Sequence, residues 1–356
     1  MLLNSVGLKD FRNYESKEFE FDKGVNVIYG HNAAGKTNLL EAVGLLATGE
    51  SFRAQRTEEM IRFGQEVGRA TGKILDESGS DDLEVMVTTG LVGGARTLKK
   101  KYLVNGVSKR KKDYQGQFAV SVFRPEDMDM LTGTPDHRRK YLDDILIQTN
   151  EEYVRSLSTY QQALRRRNKL LDAVREGLAS RYSLTFWDGL LIKHGQQVSD
   201  FRQDLVEFIN SLWARSELFN KLKLEYDKSV ISEERLAQYK EEELAVGYTL
   251  VGPHKDDLIV SDQQSVISSQ RRDVGIYGSR GEQRMAVLAL KLGEIYYLED
   301  KRNERPLLLL DDIFSELDEV HKSEVLRVMQ NRQVLVTTAL ERDVELMGES
   351  NKIFLD

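Results

Sequence analysis

Eight residues near the start of the chain, Gly30-His31-Asn32-Ala33-Ala34-Gly35-Lys36-Thr37, carry the spacing G-x-x-x-x-G-K-[ST] in every fixed place. Glycines in this arrangement let backbone N–H groups converge on the α- and β-phosphates of a nucleotide. The helix that follows adds its positive N-terminal end. Lys36 is expected to reach the β- and γ-phosphates, and the Thr37 hydroxyl to ligate Mg²⁺. His31, Asn32, Ala33 and Ala34 form the body of the loop, and Gly30 and Gly35 its two ends.

Such a loop needs a second anchor for the cation, an acid that ends a buried strand. Leu307-Leu308-Leu309-Leu310-Asp311-Asp312 supplies one. An acid directly after four leucines is a poor candidate for an ordinary surface residue. Asp311 is expected to hold Mg²⁺ through water, and Asp312 to orient the attacking water as a general base. A third segment, Tyr277-Gly278-Ser279-Arg280-Gly281-Glu282-Gln283, is a small-residue turn that feeds a helix. One domain does not need two anion sites for one triphosphate. Ser279 and Gly281 therefore read either as a simple helix cap or as a cap on the γ-phosphate held by a second copy of the chain. The second reading predicts an ATP-dependent homodimer.

These residues require particular elements to place them. Val25 to Tyr29 is a short apolar run ending at Gly30. After Lys36 the period changes, and Leu39, Leu40, Val43, Leu46 and Ala47 share one helical face. Strand, glycine loop and helix thus follow in the required order. Residues 60–120 alternate as antiparallel strands, with a type I′ hairpin turn at Asn105-Gly106. From Glu151 to Trp213 the rhythm is helical. Tyr153, Leu157, Tyr160, Leu164, Arg167, Leu171, Val174 and Leu178 recur at spacings of four and three. So do Trp187, Leu191, His194, Val198, Phe201, Leu205, Phe208 and Leu212. A break at Glu176–Ser183 folds the second helix back on the first. Leu250 to His254 reads as a strand end and turn. The predicted fold is α/β: an ABC-type P-loop ATPase head with a mixed sheet, helices and an antiparallel β subdomain. An α-helical hairpin lobe is inserted into it. Residues 1–120 and 241–356 form the head, and 121–240 the lobe.

Composition narrows the classes. The chain has no cysteine, which excludes disulfides and thiolate metal sites and fits a cytoplasmic location. No apolar run approaches the roughly 20 residues of a membrane helix. The N-terminus lacks the pattern of a signal peptide. Net charge is −7, so a nucleic-acid partner needs local basic patches. Arg96, Lys99, Lys100, Lys101, Lys109, Arg110, Lys111 and Lys112 form one such run without an acid. His137 to Lys140 is a second, and Arg165, Arg166, Arg167 and Lys169 a third. The first run reads either as a solvated hairpin face or as a contact for duplex DNA backbone. Arg138 and Arg139 have Asp143 and Asp144 as nearby partners. His254 reads as a structural turn residue or as one linked to the nucleotide.

The combination of motifs resembles the bacterial RecF family of recombinational-repair ATPases. Ser279 to Arg284 is similar to that family's signature motif, and Asp311 to Asp318 to its Walker B and D-loop. Phe11-Arg12-Asn13-Tyr14, Pro125-Glu126, Gly133-Thr134-Pro135, Arg138-Arg139, Tyr141-Leu142-Asp143, Arg167-Asn168 and Gly252 to Asp257 match in order along the chain. The resemblance implies a weak, DNA-stimulated ATPase acting in DNA repair, replication and the damage (SOS) response. It implies binding to double-stranded DNA near single-strand gaps and junctions, partnership with RecR and RecO, and help in loading RecA. Asp312 stands where many ABC ATPases have glutamate, and Thr338 where many have a histidine, so slow hydrolysis is expected. The rival readings are an ABC transporter ATPase subunit, an SMC-type scaffold and a DNA-binding module with a vestigial ATPase.

Overall fold

The computed structural model describes residues 1–76, 79–267, 270–315 and 317–356. Glu316, within the Asp311–Asp318 stretch, lies outside the described residues. Two compact units form: Met1–Asp127 with Glu294–Asp356, and Met128–Gly293.

The first unit holds two main sheets. One is antiparallel: β1 (Leu2–Phe11), β2 (Tyr14–Glu20), β4 (Val67–Asp76), β5 (Gly79–Thr88), β8 (Lys100–Val104) and β9 (Val107–Lys109), in the order β2-β1-β4-β5-β8-β9. A small ribbon, β6 (Leu91–Val92) with β7 (Ala95–Arg96), interrupts the chain between β5 and β8. The other sheet is parallel throughout: β10 (Val120–Phe123), β14 (Leu307–Asp311), β15 (Val334–Thr338), β3 (Val25–Gly30) and β16 (Asn351–Leu355), in the order β10-β14-β15-β3-β16. Every residue of β14 and β15 is buried, as a parallel sheet requires of its central strands. Helices α1 (Lys36–Thr48), α2 (Lys111–Tyr114), α11 (Glu319–Met329) and α12 (Glu341–Leu346) complete this unit. The β8–β9 turn has positive φ at both Asn105 (50°) and Gly106 (74°), the type I′ geometry its sequence predicts.

Helix α1 departs from its expected single apolar face. All residues from Leu39 to Ala47 are buried, because α1 touches β3, β10, β14 and β15 on one sheet and β4 and β5 on the other. A helix between two sheets has no solvent side, so its whole circumference is core.

The second unit contains α3 (Asp129–Thr132), α4 (Pro135–Thr149), α5 (Glu151–Arg175), α6 (Thr185–Trp213), α7 (Glu233–Gln238), α8 (Lys240–Val246) and α9 (Val274–Tyr277). It also holds an antiparallel sheet of β11 (Leu222–Asp227), β12 (Asp257–Ile267) and β13 (Gln270–Asp273). Of helix α10 (Arg280–Arg302), residues 280–293 belong to this unit and 294–302 to the first. Helices α5 and α6 form the expected hairpin, but the seam of α6 is shifted. Leu191, Val198 and Leu205 are buried as predicted, whereas the alternate positions are Gly195, Arg202 and Ile209 instead of His194, Phe201 and Phe208. Glycine and arginine do not register as apolar in a pattern search, so the true seam is hidden. At Gly195 a Cβ would stand 2.9 Å from Ile231 and 3.0 Å from Tyr160.

Leu250–Val251 forms no strand end. The backbone N–H of Thr249 is bound by Asn168 Oδ1 (3.0 Å) and that of Leu250 by Glu243 Oε1 (2.8 Å). Side chains replace the ladder there and satisfy the same donors. Among the described residues no helix is long and apolar enough to cross a membrane.

Candidate nucleotide site

Strand β3 ends at Gly30 and α1 begins at Lys36. Gly35 caps α1 in the left-handed region, with φ 109°. A Cβ there would lie 2.7–2.8 Å from the Asn13 amide and the Tyr14 hydroxyl, so only glycine fits. These two neighbours grip the loop. Asn13 Nδ2 donates to the Ala34 carbonyl (3.2 Å), and the Tyr14 hydroxyl to the Gly35 carbonyl (3.1 Å). Asn38 Nδ2 donates in turn to Asn13 Oδ1 (2.8 Å), and Arg53 to Asn38 Oδ1 (3.0 Å). His31, Asn32 and Ala33 are exposed, and Ala33 has φ 69°.

The Lys36 ammonium donates to the carbonyls of Gly30 (2.7 Å) and His31 (2.9 Å). Burial pulls its pKa down, and the charges of Asp312 and Asp311 oppose that shift. An arriving phosphate therefore meets an amine already folded over the loop. Thr37 Oγ1 donates to Asp311 Oδ1 at 2.9 Å, and Thr337 Oγ1 donates to the same oxygen at 2.8 Å. Burial raises the Asp311 pKa, while the bonds from Thr337 and Thr37 pull it back. Asp312 takes up the left-handed region, φ 52°. Its backbone N–H is held by both the carbonyl (3.2 Å) and the hydroxyl (3.0 Å) of Thr337. A left-handed non-glycine backbone pinned in place by a neighbour is often the mark of a working residue.

Thr37, Asp311 and Asp312 thus meet at the carboxyl ends of parallel strands, where open α/β sheets bind ligands. The oxygens of Thr37 and Asp311 are hard donors, which suit Mg²⁺. Their closeness is the observation that fits the cation expected of a P-loop.

Three supports of this site escaped the sequence. Thr337 is one; Thr338, the residue singled out from the sequence, bonds Asp343 Oδ2 instead (2.9 Å). The Asn13–Tyr14 clamp is the second. The third is Glu41, fully buried on α1, which receives two bonds of 2.7 Å from Arg12 and one from Ser51. The stretch Phe11–Tyr14 was visible as a motif, but nothing local showed that it grips the loop.

Ser279 and Gly281 belong to the second unit and are exposed at the start of α10. Glu282 Oε2 accepts from the Ser279 N–H (2.6 Å), and Ser279 Oγ accepts from the Glu282 N–H (3.3 Å). This reciprocal pair is a capping box. Arg272 also pairs with Glu282 at 3.1 Å.

Of the basic run only Lys100, Lys101 and Lys109 lie on the antiparallel sheet, and the run is partly neutralised. Lys99 pairs with Glu58, Lys100 and Lys111 both pair with Glu50, and Arg110 pairs with Asp113. Arg96, Lys101, Lys109 and Lys112 are exposed and make no ion pair among the described residues.

The motifs of the second unit converge on two buried arginines. Arg202 bonds Asp143 (2.8 Å), Asp256 (3.0 Å) and the Pro253 carbonyl (2.8 Å). Arg167 bonds Asp188 (2.6 Å), Thr249 Oγ1 (2.8 Å) and Glu243 (2.7 Å). Arg138 and Arg139 do not take Asp143 and Asp144. Arg138 makes two bonds to Asp257 (2.6 and 3.0 Å), and Arg139 reaches Asp136 (2.5 Å) and the Asp256 carbonyl (2.6 Å). Lys140 takes Asp144. His254 lies between the Tyr160 hydroxyl (2.7 Å) and the Thr249 carbonyl (3.0 Å). Burial pulls its pKa down to about 4, so it is a neutral structural bridge.

The RecF/RecN/SMC N-terminal domain model matches residues 2–356. A protein of Thermoanaerobacter sp., named DNA replication and repair protein RecF, is 33% identical over 97% of this chain and 96% of its own length. A Bacillus cytotoxicus protein of the same name is 34% identical over 97% and 94%. A solved structure of the recombination mediator protein RecF with ATPrS, in the RecFOR pathway, superposes with a TM-score of 0.85 at 30% identity. It covers 100% of this chain and 97% of that one. An Smc head bound to a ScpA domain shares the fold alone, at TM-score 0.51 and 14% identity over 95% and 90%.

Proposed function

This chain belongs to the RecF family, and on that premise we propose that it is an ATP-dependent DNA-binding protein of recombinational repair and replication. The meeting of Thr37 with Asp311 at 2.9 Å beside the Gly30–Thr37 loop carries the nucleotide half of the reading. The loop N–H groups and Lys36 bind the phosphates, with Lys36 exchanging its two loop carbonyls for them. Thr37 and Asp311 hold Mg²⁺, which when bound neutralises charge on the phosphates. Asp312 orients water for a slow hydrolysis. Ser279 and Gly281, exposed at the helix start, cap the γ-phosphate bound to a second copy. ATP therefore closes a homodimer, and hydrolysis opens it.

Duplex DNA near single-strand gaps and junctions is the partner this reading assigns, with RecR and RecO acting alongside to load RecA, in the cytoplasm. Arg96, Lys101, Lys109 and Lys112 are the members of the basic run left to meet phosphates; Lys99, Lys100, Arg110 and Lys111 are held by acids of the chain. Similarity to RecF proteins over the whole chain favours repair over a transporter subunit or an SMC scaffold.

Sedimentation tests the reading. The wild type forms a dimer with ATP and not without it, Ser279→Arg stays monomeric while still binding ATP, and Lys36→Met neither binds ATP nor dimerises. A wild type whose sedimentation ignores ATP refutes the closure.

A further inference from the structure

Helix α5 carries the third basic cluster, and the structure separates its members. Arg167 is turned inward and consumed by Asp188, Glu243 and Thr249. Arg165, Arg166 and Lys169 are exposed and make no ion pair among the described residues. Other cations of the same helix do: Arg155 pairs with Glu151, and Arg175 with Asp172. No acid stands within one helical turn of Arg165 or Arg166; Gln161, Gln162, Ala163, Asn168, Lys169 and Leu170 fill those positions.

We propose that Arg165, Arg166 and Lys169 form a contact for the phosphate backbone of a nucleic-acid duplex on the outer face of α5. The inference rests on the DNA-binding reading above and names a surface for it in the second unit. Arg165 and Lys169 are separated by one turn, about 6 Å along the axis. That rise spans about two phosphates of one strand. The chemistry of the face selects the occupant. Gln161, Gln162, Arg165, Arg166 and Lys169 are all exposed, and no large apolar side chain stands among them. Protein partners dock around buried apolar and aromatic anchors, whereas nucleic-acid interfaces are polar and strongly positive. The amides and guanidinium groups here offer hydrogen-bond donors suited to phosphate oxygens. In a chain of net charge −7, three unpaired cations on one helix face form a local positive field.

The test is duplex affinity measured over a range of salt with the full chain. Each phosphate contact contributes about 0.9 to the slope of log K against log salt. The triple variant Arg165→Gln, Arg166→Gln, Lys169→Gln lowers that slope by about 2–3 and weakens binding equally for unrelated sequences. It keeps the wild-type Tm and still binds ATP, so both units remain folded. Arg165→Lys with Arg166→Lys keeps the slope, because the charge is kept. A triple variant with the wild-type slope overturns the proposal. So does one that loses only polyglutamate binding, which assigns the face to an acidic protein. A wild type that binds no duplex at any salt sinks the parent reading as well.

Discussion

Replacing Arg12 with alanine is expected to destabilise the first unit far more than the loss of a surface ion pair. The Glu41 side chain is 0% exposed and the Arg12 side chain 16%. Two bonds of 2.7 Å join them. Exposed pairs are worth about 0–1 kcal/mol. Here the variant leaves a buried carboxylate with only the Ser51 hydroxyl, and an orphaned buried charge costs about 3–5 kcal/mol. For a unit of this size each kcal/mol moves Tm by about 2–4 °C, so Tm falls by roughly 6–20 °C. Arg12→Met combined with Glu41→Leu recovers most of the loss, because no charge is left unpaired. Chemical denaturation of Arg12→Met, of Glu41→Leu and of the double completes the cycle. Nucleotide affinity falls with Arg12→Ala too, since Arg12 precedes the Asn13–Tyr14 clamp and Glu41 lies on the helix that begins at Lys36. A cost below about 1 kcal/mol, the range of an exposed pair, or a double variant as unstable as the sum of the singles, refutes the reasoning.

Tyr14→Phe removes the donor to the Gly35 carbonyl; a bond worth about 1 kcal/mol predicts a roughly 5-fold weaker ATP affinity. Titration with a fluorescent ATP analogue checks this, and unchanged affinity means that Tyr14 does not position the loop. His254, held at about 4 in the fold, takes up its proton near 6.5 once unfolded. Its contribution is therefore complete above about pH 6.5, falls as the pH drops to about 4 and changes no further below that. The full window amounts to about 3 kcal/mol. Urea denaturation of wild type and His254→Asn across that window measures it, and identical pH profiles contradict the assignment.

The cation and phosphate anchors are legible in the chain alone because they depend on close neighbours along it. Gly30 to Thr37 is a spacing, and the four leucines before Asp311 make a strand whose end must bear acids. The Asn105-Gly106 turn needs positive φ at two successive residues, which its sequence announces. The hairpin of α5 and α6 is likewise written in period. What the sequence withholds are facts about approach. Thr37 and Asp311 are 274 residues apart, and Arg12 and Glu41 are 29 apart.

Only the tertiary structure decides that α1 is buried on every side, and so that a glutamate on it must be paired. Only packing reveals that Gly195 and Arg202 hold the α6 seam, one because no side chain fits and one because acids surround it. The charge run at 96–112 shows the difference most directly. Its composition is plain from the sequence, but which cations are spent on Glu50, Glu58 and Asp113 and which face solvent is settled when sheet and loop come together. Periodicity records the local preferences of a backbone; it does not record which distant side chain arrives opposite.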